Sequence, residues 1–131
     1  RHICEIQQEL NKFSTSNVTF SFNPHLLPNY RGMMSTIYCD LKKNITKDIV
    51  NKKLKKFFKQ HKFVKIIDNE NPMDFFNIQN TNYCLIKIFN SSSKNKIIIV
   101  SLIDNLLKGA AGQAIQCFNY LHGFEESLSL N

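Results

Sequence analysis

Glycine is scarce in this chain of 131 residues, arginine is nearly absent, and no apolar run is long enough to cross a membrane as a helix. The longest run, Ile97 to Ile103, is broken by Ser101 and falls far short of the ~20 residues that a span requires. The four cysteines show no Cys-x-x-Cys spacing and no histidine-rich partner segment, which argues against a zinc site or a redox pair. No secretory leader is recognisable. A reducing, cytoplasmic compartment with free thiols is therefore expected, and sequons at Asn17, Asn44 and Asn90 are products of abundant asparagine. What remains is rich in Lys, Asn, Ile and Phe, with a formal charge of +7 that suits an anionic partner. Lysines on solvated faces account for most of that charge. Arg31 stands apart, because a planar fork beside Gly32 can grip phosphate or carboxylate.

Periodicity predicts an α+β domain. Residues 2–13 read as a helix with Ile3, Ile6, Leu10 and Phe13 on one face, and His2 and Glu5 sharing its first turn. Residues 18–22 alternate like a strand. The loop from Pro24 to Pro28 excludes regular structure, and a strand resumes over 33–41. Thr46 offers an N-cap for a helix to about Gln60, whose stripe Ile49, Val50, Leu54, Phe57 and Phe58 faces a core. Short strands are expected over 63–67, 75–79, 82–89 and 96–103. A last helix spans 106–122 and stops at Gly123. The sheet is expected to be mixed and largely antiparallel, with helices packed on one face.

The lysine-rich wording stops at residues 104–123, Asp-Asn-Leu-Leu-Lys-Gly-Ala-Ala-Gly-Gln-Ala-Ile-Gln-Cys-Phe-Asn-Tyr-Leu-His-Gly. Gly109 and Gly112 flank two alanines, leaving one helical turn almost without side chains, although glycine inside a helix costs about 1 kcal/mol. Close approach of a flat or bulky group would compensate. A strand, a turn and a bare helix start would also aim free N–H groups at an anion. Close helix packing is the plainer explanation of the same turn. This stretch closely resembles the C-terminal signature of the N-acetyl-gamma-glutamyl-phosphate reductases. Three further segments resemble that family in the same order: His2-Ile3-Cys4-Glu5-Ile6, Asn23-Pro24-His25-Leu26-Leu27-Pro28-Asn29-Tyr30-Arg31-Gly32, and Asn80-Thr81-Asn82-Tyr83-Cys84.

The resemblance implies a semialdehyde dehydrogenase/glyceraldehyde-3-phosphate dehydrogenase-like fold. Residues 1–131 would be one substrate-binding and dimerisation domain, with helix 106–122 returning to a dinucleotide-binding domain that precedes it. Neither a glycine-rich dinucleotide turn nor a Gly-Cys-Tyr nucleophile segment occurs here, so a fragment is expected. The implied reaction is NADPH-dependent reduction of N-acetyl-glutamyl phosphate, in arginine biosynthesis, through attack of a cysteine thiolate. The family's catalytic histidine corresponds to His2, with Glu5 as its partner, while Cys4 replaces the usual proline. His25 and Arg31 would bind substrate, and Asn105, Leu106 and Gly109 would meet the nicotinamide end of NADP(H). Lys108 could face phosphate or simply solvent. Cys84 and Cys117 read as small core residues. Homo-oligomerisation through the sheet is implied, with no nucleic acid, membrane or metal. An aspartate-semialdehyde-type dehydrogenase domain is an alternative. So is a basic RNA-binding module, which would interleave exposed aromatics with lysines.

Overall fold

Lys96–Ile103 (here β4) is the most apolar strand and is paired on both sides along nearly its whole length. In the computed structural model, which describes residues 2–68 and 70–130, it runs antiparallel to Met33–Asp40 (β1) and to Cys84–Asn90 (β3). Val64–Ile66 (β2) adds to β3 in parallel, so the order is β1-β4-β3-β2. The sheet is mixed and largely antiparallel, as its sequence predicts. Asn95, at a φ of 59°, closes the β3–β4 hairpin, since asparagine tolerates the left-handed region.

Successive strand residues face opposite sides, and each side has its own cover. Leu85 and Leu102 pair on one side and are sealed by Ile78, with Ile67, Met73, Phe75 and Tyr83 around them. The other side presents Val64, Ile66 and Ile88, over which Lys47–Phe57 (α2) lies against β2 and β3. Thr46 caps α2, its hydroxyl accepting the Ile49 N–H at 3.3 Å. Burying a side chain such as Ile88 or Ile97 contributes about 2 kcal/mol. The strand β1 sits at the outer edge, where Met33, Met34, Ile37 and Tyr38 are all exposed.

Three local expectations are corrected. Residues 18–22 have no partner strand among the described residues and form no strand, with Val18 O accepting instead from the Gln7 side chain at 2.9 Å. Phe75–Asn77 is a 3-10 turn, not a strand. There Asp74 and Asn77 exchange side-chain-to-backbone bonds at 3.1 Å in each direction, and this local capping box wins over strand propensity. Cys117 is exposed on the final helix rather than a core residue, while Cys84 is half-buried. The first helix, His2–Lys12 (α1), forms as expected but buries no residue, and Leu10 and Phe13 stay exposed.

The final helix does not start as an α-helix. Residues Leu107–Ala111 form a π-turn, with Gly109 N–H bonding Asp104 O at 2.9 Å and Gly112 N–H reaching Leu107 O. The regular helix is Gly112–Leu121 (α3), and Gly123 follows at a φ of 72°. The π-turn leans on Ile103, so it shares the α2 side of the sheet.

Candidate functional site

The end of β4 delivers one carboxylate, Asp104, to a point with no solvent exposure. Its Oδ1 accepts the N–H groups of Leu106 at 2.8 Å and Leu107 at 3.1 Å, capping the turn that follows. Its Oδ2 accepts the Asn80 N–H at 2.8 Å. Arg31 Nε sits between both oxygens, 2.9 Å from Oδ1 and 2.7 Å from Oδ2. Burial alone would push this carboxyl up. Arg31 and the N–H groups of Leu106, Asn80 and Leu107 outweigh burial and hold it below the usual carboxylate value. The helix start is therefore satisfied by the chain's own carboxylate, which corrects the expectation of free N–H groups aimed at an anionic ligand.

Three segments converge on Asp104. Asn80 holds a left-handed φ of 58°, which turns its N–H toward Oδ2 while its own Oδ1 accepts from Arg31 Nη1 at 3.1 Å. Gly32, at a φ of 125°, donates its N–H to Asn105 Oδ1 at 2.9 Å. A side chain there would collide with the Phe75 ring. Gln79 Nε2 donates to Arg31 O at 3.2 Å. The fork predicted for Arg31 thus closes on a carboxylate of this chain, and among the described residues its Nη2 takes no partner.

A second polar group lies under the π-turn. Asn82, buried, donates to Gln116 Oε1 at 2.9 Å, and Lys108 Nζ donates to the same oxygen at 2.6 Å. Gln116 also donates to Glu126 of the C-terminal tail. Asn82 Oδ1 faces Gly112 and has no hydrogen-bond partner among the described residues. Lys108 lies 5.7 Å over the Phe63 ring rather than reaching into solvent. Desolvation lowers its pKa, while Cys84, Glu126 and Cys117 oppose that shift.

The other expected site residues are surface groups. His2 and Glu5 are exposed on α1, with the His2 ring 5.9 Å from that of Phe22. His25 is exposed, its Nδ1 2.9 Å from Asn23 O. Asn105, Leu106, Gly109, Ala110 and Ala111 are all exposed, while Gly112 is buried. The structure brings Arg31, Gly32 and Asn105 together, with His2 and Glu5 exposed on α1 and His25 exposed on the 23–32 loop. Sequence reasoning gave Asn80, Asn82 and Gln116 no role. The dense Asn-Thr-Asn before a strand was the available signal, because buried amides serve turns and caps.

A sequence profile of the semialdehyde dehydrogenase dimerisation domain matches residues 1–105. The chain belongs to this family. Curated relatives extend the likeness over the full chain. It is 42% identical over 99% of its length to an N-acetyl-gamma-glutamyl-phosphate reductase of Clostridium kluyveri, covering 38% of that protein. It is 43% identical over 100% of its length to the reductase so named in Ehrlichia chaffeensis, again covering 38%. It is 39% identical over 99% to a probable chloroplastic one of Arabidopsis thaliana, covering 32%. The chain thus spans roughly a third of the length of these relatives. Aspartate semialdehyde dehydrogenase II of Vibrio cholerae shares the fold, with a TM-score of 0.56 at 18% identity, over 74% of this chain and 29% of that one. Among the described residues no helix is long and apolar enough to cross a membrane, and no cluster of His, Cys, Asp and Glu could hold a metal.

Proposed function

We propose that this semialdehyde dehydrogenase domain is the substrate-binding and dimerisation part of an NADPH-dependent reductase of arginine biosynthesis. The whole protein would convert N-acetyl-L-glutamyl 5-phosphate to N-acetyl-L-glutamate 5-semialdehyde and phosphate. The observation carrying this reading is identity of 39–43% to reductases of that name over essentially the entire chain. The likeness to the aspartate enzyme is one of fold alone.

The residues fit these roles in distinct ways. NADPH, when bound, supplies the hydride. Exposed Asn105 and Leu106 beside the bare surface of Gly109, Ala110 and Ala111 offer a flat, partly apolar platform suited to its nicotinamide end. Asn105 commits its Oδ1 to Gly32, which leaves its amide N–H₂ to donate. His25 and the spare Nη2 of Arg31 lie on the loop assigned to the acyl phosphate, where a guanidinium favours phosphate oxygens. His2 would move the proton between thiol, imidazole and the collapsing tetrahedral adduct, with Glu5 one turn away to orient it. The exposed apolar residues of β1 favour pairing of two copies through the sheet. Ile115, Phe118 and Leu121 on α3 similarly suit cover by a dinucleotide-binding domain. The cytoplasm is the proposed compartment.

Purified full-length protein carrying these residues should oxidise NADPH when supplied with N-acetylglutamyl phosphate, followed by absorbance. The 131-residue chain alone should not, because it lacks the glycine-rich turn and the nucleophile segment. Turnover with aspartyl phosphate instead would transfer the assignment to the aspartate-type enzyme, and no turnover with either would refute both.

A further inference from the structure

Asp104 touches no solvent and so can touch no substrate, yet three segments far apart in the sequence end on its two oxygens. We propose that Asp104 is a positioning residue that locks the loop 23–32 and the turn 104–111 into one body. Ligands held at the loop and at the turn would then bind with positive coupling. The ligand identities, an acyl phosphate or phosphate and a dinucleotide, rest on the function proposed above. The latch itself rests on geometry.

The loop has little else to fix it. Among the described residues, its hydrogen bonds up to Asn29 are local, from Asn29 N–H to Leu27 O, between His25 Nδ1 and Asn23 O, and from Asn29 Nδ2 to Arg31 O. Every long-range tether runs through its last two residues. Arg31 bonds Asp104 and Asn80, Arg31 O accepts from Gln79, and Gly32 N–H bonds Asn105 Oδ1. The turn is fixed by the same carboxylate, through the Leu106 and Leu107 amides. Ordering either side therefore orders the other, and a second ligand meets a body already rigid. Couplings of this origin typically amount to about 5–150-fold in affinity.

Two measurements test the latch. In the 131-residue chain, Arg31→Lys should speed amide exchange at Leu106 and Leu107 by about 10-fold or more, although Arg31 bonds neither. Asn105→Ala should likewise loosen the amide of Asn80, which Asn105 does not bond. In the full-length protein, saturating inorganic phosphate should tighten NADPH binding by about 10-fold. Asp104→Asn should bring that factor close to one, whatever its effect on NADPH affinity without phosphate. A purely structural role would weaken both affinities and preserve their ratio. Exchange confined to amides bonded directly to the substituted residue, or an intact coupling factor in Asp104→Asn, overturns the proposal. Concerted exchange in a protein that binds no NADPH supports the latch and refutes the reductase reading instead.

Discussion

Gly112→Ala isolates the contact that holds the π-turn in place. The backbone there is ordinary helix, with φ −65° and ψ −38°, so alanine alone would stabilise the helix by about 1 kcal/mol. The site forbids that gain. A Cβ would stand inside 3.0 Å of Asn82 Oδ1 and 3.0 Å from both Leu107 C and Leu107 O. Asn82 cannot swing aside, because it is buried and its amide is bonded to Gln116. Leu107 cannot withdraw without losing its bond from the Gly112 N–H, worth about 1 kcal/mol. Overpacking costs about 1–3 kcal/mol and loss of the Leu107 bond about 1 kcal/mol more, which against the helix gain of about 1 kcal/mol leaves a net loss of about 1–3 kcal/mol. For a chain of this size the melting temperature should fall by about 4–10 °C. Gly109→Ala is the control. Its Cβ would meet Ile103 Cδ1 at 3.4 Å and Asp104 O at 3.5 Å, near-ordinary contacts, so it should gain a few tenths to about 1 kcal/mol. Urea unfolding of the two variants, with Asn82→Ala added to Gly112→Ala as a cycle, measures each quantity. Equal stability of the two glycine variants, or no partial rescue by Asn82→Ala, would refute the steric reasoning.

Further outcomes follow from the other charged groups. Because the folded Asp104 carboxyl titrates below its usual value, its stabilisation is complete above about pH 4 and is lost as pH falls through the folded value. Arg31→Met removes the main opposing donor and should move the acid-unfolding midpoint to higher pH, visible by circular dichroism. Lys108 is the opposite case, with its ammonium disfavoured by burial, so its contribution to stability grows as pH rises through its lowered value. Lys108→Met should raise the melting temperature at neutral pH and flatten that alkaline gain, since Asn82 still serves the Gln116 oxygen. In the full-length enzyme His2→Ala should lower kcat by about 10²–10⁴-fold with little change in KM, whereas a KM effect alone would make His2 a binding group.

Much of this domain was legible wherever a local rule and the tertiary environment agree. Thr46 caps α2, Asn95 turns the hairpin, and the run Ile97 to Ile103 becomes the central strand, because each follows from propensity or period. Residues 18–22 have strand alternation but find no partner strand among the described residues. Asp74 and Asn77 satisfy each other's backbone over three residues, which no hydrophobic pattern reveals. Within the bare turn the tight glycine is Gly112, against Asn82, whereas Gly109 is exposed. The neighbour that makes Gly112 tight is an asparagine 30 positions upstream, which no local pattern reveals. The unusual persistence of Arg31 among lysines was visible, but its partner 73 residues away was not.

The position of β1 bears on how the chain is born. Met33 pairs with Ile103 and Asp40 with Lys96, so the first strand of this sheet waits for its last one. At about 5–20 residues per second, the interval is on the order of 3–12 s. Throughout it a segment carrying Met33, Met34, Ile37 and Tyr38 has no partner strand. The β3–β4 hairpin closes locally and can form as soon as it is made, offering β4 as a template on which β1 docks late. During that interval the nascent chain is most exposed to strand pairing between neighbouring copies, and to the attention of chaperones.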